Sequence, residues 1–269
     1  MATAAAGGLF AAAQALATAP TLRLGVITGF FVPRGVPPAA ETDGPVGAAL
    51  LLRGLADLGI ACRLATDPPC AAVCAVALAA AGATAVPLDA GPIDSIIAAW
   101  RAAGITHVLA IERCGLAADG VARNLLGEDV SAITAPLDAL FLAGPWVRLA
   151  IGDGGNEIGM GSLPAGLIAG AVRNGASIAC RTPADHLIVA GVSNWGAWGL
   201  LAALALLRPD WGCRLAAVLD PVLDAAILRR VVFEGPAVDG VSAAQALTVD
   251  GLSMAAHHAK LDEIRALIG

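Results

Sequence analysis

Positive charge is scarce in this chain. Charged residues make up 14% of its 269 positions, Lys260 is the only lysine, and the formal net charge is −6. No basic run occurs, which argues against a nucleic-acid surface, because phosphate binding needs clustered Lys and Arg. A Walker lysine is missing, and no serine in a nucleophile elbow is paired with a plausible histidine. The six cysteines (62, 70, 74, 114, 180, 213) are scattered, and only Cys70 and Cys74 are close. They lack a second pair or a nearby His, which disfavours structural zinc and implies free thiols in a reducing cytoplasm. No Lys or Arg precedes the apolar part of Met1–Pro20, against a secretory leader. Cys70–Leu88 carries no charge over 19 residues, but Gly82, Thr84 and Pro87 divide it into a helix and a strand rather than a membrane span. Linkers, repeats and low-complexity blocks are absent. A cytoplasmic protein acting on a small molecule is expected, without nucleic-acid or membrane partners and with room for a homo-oligomer.

Small apolar residues are plentiful. The chain is 58% hydrophobic, so a sizeable core is available. Near-continuous apolar strands are predicted at 22–28, 60–65, 83–88, 105–111, 147–151 and 186–191, with a short one at 177–181. Helices are predicted at 46–58, 70–81, 93–103, 132–142, 163–173 and 199–207. A helix or arm is expected at 1–20, and two or three closing helices from about 221, the clearest at 255–268. Strands alternating with helices imply an α/β fold, a single three-layer domain over 1–269 with a mainly parallel sheet covered by helices on both faces.

The chain is organised around Ile151–Gly161, IGDGGNEIGMG, in which five of eleven residues are Gly. A strand running into a Gly-rich turn and a helix start points N–H groups at whatever sits above the strand's end. Asp153, Asn156 and Glu157 share that turn, and such a cluster suits a cation, an amine or a reacting proton. The plainer reading makes Asn156 a helix N-cap with Glu157 in the first turn. Ligands of such sheets bind beyond the C-terminal strand ends, and polar clusters recur there: Thr42-Asp43-Gly44, Glu112-Arg113 with Asp119, and Ser193-Asn194. His107 lies mid-strand and reads as a core residue, and His257 and His258 point in different directions on one helix, a poor metal pair. The turn is not G-x-G-x-x-G and carries acids where a pyrophosphate would sit, so a dinucleotide site fails on detail.

IGDGGNEIGMG, together with ITGFFVP (27–33), ETDGPVGA (41–48), ER…AADG (112–120) and SNWGAWGL (193–200), resembles the D-glutamate cyclase family, with the blocks in the family's order. The chain is similar to a stand-alone bacterial form of a domain that animal members carry after a separate N-terminal region. The resemblance implies conversion of D-glutamate to 5-oxo-D-proline with loss of water. It implies Asp153, Asn156 and Glu157 as the catalytic core, and Thr42, Asp43, Gly44, Glu112, Arg113, Asp119, Gly154, Gly155, Ser193 and Asn194 as substrate-binding residues.

Chemistry suggests roles for these groups. Glu157 or Asp153 would take the ammonium proton, with a pKa raised by burial or by its neighbour. The N–H groups of Gly154 and Gly155 would hold the tetrahedral oxyanion, and Arg113 would anchor the α-carboxylate. No cofactor is required by this scheme. A competing reading makes Asp153 and Glu157, with Asp43 and Glu112, hard ligands for Mg²⁺ or Mn²⁺. Others are a non-catalytic module binding an acidic amino acid, and an anion- or nucleotide-binding protein, against which the acids in the turn argue.

Overall fold

The computed structural model describes residues 1–164 and 166–269. Six parallel strands form the central sheet: β1 (Arg23–Thr28), β4 (Ala61–Ala65), β5 (Leu88–Asp89), β6 (His107–Ile111), β7 (Val147–Gly152) and β8 (His186–Val189). Their spatial order is β5-β4-β1-β6-β7-β8. Two short antiparallel ribbons lie outside it, β2 (Phe31–Val32) with β3 (Ala39–Ala40), and β9 (Thr248–Val249) with β10 (Leu252–Ser253).

Successive side chains of a strand point to opposite faces, and here the faces feed two cores. Leu24 and Val26 of β1, Leu109 and Ile111 of β6, and Leu149 and Ile151 of β7 enter the larger core. It is completed by α1 (Gly8–Ala17), α2 (Pro45–Asp57), α3 (Ala71–Ala81), α8 (Ser193–Leu207), α9 (Pro209–Val218), α10 (Pro221–Phe233) and α11 (Met254–Arg265). The alternate residues Ile27, Val108, Ala110 and Ala150 face a smaller core with α4 (Ile93–Ala102), α5 (Asp138–Leu142) and α6 (Leu167–Ala171). The arrangement is a three-layer α/β fold. Gly25 of β1 is required by packing, because a Cβ there would lie 2.3 Å from the buried Trp100 ring. Trp100 in turn donates from Nε1 to Asp89 at 2.9 Å, tying α4 to the edge strand.

Several elements depart from the sequence expectation for local reasons. The 132–142 helix shrinks to α5, since the residue before Pro136 is disfavoured in helical conformation. The 163–173 helix shrinks to α6, which follows Pro164 and a left-handed Gly166. Residues 177–181 form no strand: α7 (Gly175–Ile178) occupies their start, and Cys180 makes one isolated bridge to Ala117. Of the 83–88 strand only Leu88 pairs, with Asp89 continuing it beyond the expected end, and α9 had no counterpart in the sequence reading. Helix α8 begins at Ser193, six residues before its expected start at Gly199. Among the described residues, no helix is long and apolar enough to cross a membrane.

Candidate functional site

From β1 the chain steps outward to β4 and β5, then returns to the other side of β1 with β6. That reversal creates a crevice beyond the C-terminal ends of β1 and β6, the usual ligand position in an open parallel sheet. Loops leaving β1, β6 and β7, with the 240–250 segment, enclose a cavity of about 370 Å³ there. Four carboxyls line it: Glu41, Glu112, Asp153 and Asp250. Asn124 and Asn156 add amides, Phe30, Phe31, Leu125, Leu126 and Val241 add apolar surface, and Arg34 is the cation among the lining residues.

The turn after β7 does not enter a helix, so neither Asn156 nor Glu157 acts as a helix-start residue. Instead the Glu157 side chain folds back into its own turn. Its Oε1 accepts from the N–H of Gly154 at 2.6 Å and of Asp153 at 3.3 Å, and its Oε2 from Gly155 N–H at 2.7 Å. Glu157 thereby closes its own turn from within and shapes the loop. This overturns two expectations. The N–H groups of Gly154 and Gly155 are already occupied, so they form no free oxyanion hole. Glu157 does not line the cavity, and so is no candidate for reaching a substrate amine or a metal ion there. Asn156 stays at the wall, its Nδ2 donating to the Arg123 carbonyl at 2.8 Å. Asp153 is the acid this turn delivers to the cavity.

Beneath the cavity, helices α2 and α8 cap each other. The Asp43 carboxylate accepts from the N–H groups of Ser193 (2.8 Å) and Asn194 (2.7 Å). Asn194 Oδ1 accepts from Gly44 (3.0 Å) and Gly47 (2.7 Å), and its Nδ2 donates to Thr42 O at 3.2 Å. Each helix thus satisfies its first N–H groups with the other's side chain. Gly44 is required here: at φ 88°, a Cβ would fall 2.8 Å from that of Glu112. Ser193 Oγ donates to Glu112 Oε2 at 2.6 Å, and Thr42 Oγ1 to Thr248 O at 2.9 Å. Thr42, Gly44, Ser193 and Asn194 therefore support the site from below and do not line it.

Glu112 and Arg113, adjacent in sequence, separate completely. Glu112 has φ 43°, a conformation sparse for a non-glycine residue and frequent at functional positions, and it faces the cavity. Arg113 points away. Its buried guanidinium pairs with Asp67 at 2.7 Å and donates to the carbonyls of Gly29 (2.7 Å) and Ala135 (2.6 Å). That geometry fastens the loop leaving β1 and removes Arg113 as the substrate anchor. Asp119 is likewise outside the cavity, exposed and paired with Arg123 at 2.7 Å.

The four lining acids have no ion-pair partner among the described residues, so burial and mutual repulsion act on them unopposed by cations. Burial, then neighbouring carboxylates, raises Glu41 and Glu112 well above the usual carboxylate range. Asp43, just beneath, is also raised by burial and by Asp250, against the pull of its backbone N–H donors. Asp153 and Asp250 are within hydrogen-bonding reach of each other and have moved apart: burial and Glu157 push Asp153 up to about 11, whereas Asp250 rises to about 6. Asp43, Glu112 and Asp153 each offer a carboxylate oxygen, all within 4.8 Å of one another. Three hard oxygens at that spacing fit a Mg²⁺ or Mn²⁺ ion.

Sequence reasoning missed Glu41, Asp250, Arg34 and Asn124. Glu41 begins the ETDGPVGA block and was readable as a third polar residue of that cluster. Asp250 arrives from a turn between β9 and β10, 97 positions after Asp153, and no local signal marks it.

A family model described as "D-glutamate cyclase-like, C-terminal" matches residues 2–265. Human mitochondrial D-glutamate cyclase is 42% identical over 105 residues, which covers 38% of this chain and 17% of the human protein. The switch-point cavity, its acidic floor and the match along nearly the whole sequence lead to one conclusion: the chain belongs to the D-glutamate cyclase-like C-terminal family.

Proposed function

We propose that this protein is a lyase that closes D-glutamate into 5-oxo-D-proline with loss of water, and that Asp153 and Asp250 move the protons. The observation that carries the reading is geometric: Asp153 and Asp250 face each other in a cavity whose four carboxyls have no ion-pair partner among the described residues, and burial raises both above the usual carboxylate range. Two neighbouring buried carboxyls that resist ionising together can share protons as an acid and a base. In the reaction, the α-nitrogen forms a C–N bond to the δ-carboxyl carbon and a C–O bond breaks. Two protons leave the ammonium group and two reach the departing oxygen, which leaves as water. Asp250 collects protons from nitrogen, and Asp153 delivers them to the δ-carboxylate, first making it electrophilic and then releasing water. Their contact returns each proton, so the pair is unchanged after turnover. Holding amine and carboxyl in a ring-like pose supplies further rate.

A second reading rests on the Asp43–Glu112–Asp153 spacing. These residues would hold Mg²⁺ or Mn²⁺, whose bound form supplies Lewis-acid polarisation of the carboxylate. The deciding experiment follows 5-oxoproline by NMR from D- and L-glutamate, with and without EDTA. Product from the D isomer that survives EDTA supports proton transfer by the carboxyl pair. Activity lost in EDTA and restored by Mn²⁺ supports the metal reading. Calorimetric binding of D-glutamate without product would make the protein a binding module for an acidic amino acid.

A further inference from the structure

Resting on that reading, we infer that Arg34 is the carboxylate subsite that selects α-amino acids over simple amines. A zwitterion entering this cavity meets a floor of four carboxyls, which suits its ammonium end but supplies no cation for its α-carboxylate. Arg34 is the only cation among the lining residues, and it is exposed, whereas the floor acids Glu41 and Glu112 are buried. Its Nη2 donates to the carbonyls of Gly240 (3.0 Å) and Val241 (3.3 Å), which stations the guanidinium at the wall. Among the described residues its Nε and Nη1 have no hydrogen-bond partner, and Arg34 forms no ion pair, although four carboxyls share the cavity. The remaining donors match a carboxylate, which arginine binds through parallel N–H groups. The same tether joins the loop after β1 to the segment that carries Asp250, so the anchor and the proposed base are held in fixed relation.

The test compares D-glutamate with 4-aminobutanoate. This compound has the same amine and carboxyl separated by three carbons and closes to the same ring, but lacks the α-carboxylate. Arg34→Gln should lower kcat/KM for D-glutamate about 10- to 100-fold, the factor of a lost charged hydrogen bond, mainly through KM. It should leave 4-aminobutanoate turnover within about twofold, and Arg34→Lys should recover part of the loss. An equal loss on both substrates, or none on D-glutamate, would overturn the assignment. Calorimetry with D-glutamate and with its α-amide separates this proposal from the reaction itself. If the wild-type protein turns over neither compound, the lyase reading fails. The subsite then stands only if wild type binds D-glutamate more tightly than the α-amide and Arg34→Gln abolishes that difference.

Discussion

Asp153 and Glu157 sit four residues apart in one glycine-rich turn, yet they belong to different regions. Asp153 faces the cavity with Glu41, Glu112 and Asp250, where carboxyls crowd without cations. Glu157 lies in the layer beneath, where every acid has donors: three N–H groups for Glu157, two for Asp43, and a guanidinium for Asp67. The supporting acids are the more deeply buried, with Asp153 and Asp250 only half-buried, so partners and not burial make the difference. An acid given donors becomes scaffold. An acid that faces the cavity with no cation beside it has its proton affinity raised and is available for chemistry, and Asp43, raised despite its two donors, lies at the boundary between the layers.

The largest expected effect separates the layers by activity. Asp153→Asn should lower kcat by about 10²–10⁴-fold, as for loss of a general acid, with little change in melting temperature. A variant that keeps full turnover removes Asp153 from the reaction. Next comes the scaffold's ion pair. Arg113→Met leaves Asp67 buried and unpaired and should cost about 3–5 kcal/mol of stability, measurable by urea unfolding. KM for D-glutamate should stay unchanged at a permissive temperature, and a raised KM would return Arg113 to the substrate. Glu157→Gln is sharper because it touches the same turn as Asp153. An amide NH₂ turned toward backbone N–H donors should cost about 2–3 kcal/mol. A stable, inactive Glu157→Gln protein would move Glu157 to the cavity layer and break the comparison.

The smallest effects are in pH. If Asp250 must be ionised, kcat/KM should rise with pH through about 6. Stability should run the other way. A carboxyl whose folded pKa is raised binds a proton that the unfolded chain has released, so its stabilisation is full below about 4 and fades as pH climbs toward the folded value. For Asp250 that window ends near 6, and for Asp153 near 11. The slope is about 1.4 kcal/mol per pH unit for each proton. Asp250→Asn should flatten the lower window in a melting-temperature series, and an unchanged slope would show that the floor is not proton-loaded.

Much of the fold was legible because its signals are local. Apolar runs such as Leu22–Thr28 and Val147–Ile151 match strands to within a residue, since a strand buried on both faces needs no polar alternation. The α8 start was misplaced because its cap, Asp43, lies 150 positions away. For the site, the polar clusters after the strands were correctly placed at one end of the sheet, but their division into wall and support was not. Glu112 and Arg113 look equivalent in sequence, and only packing sends one to the cavity and the other to Asp67.

By itself, then, the sequence determined the class of fold, the end of the sheet that carries chemistry, and the family to which its five blocks point. These follow from side-chain periodicity and from residues adjacent in the chain. The tertiary structure alone decided which acids are left without an ion-pair partner, that Asp250 meets Asp153, and that Arg34 rather than Arg113 faces the cavity. Charge pairing and burial depend on what approaches through space, and here those partners come from segments up to 207 residues apart.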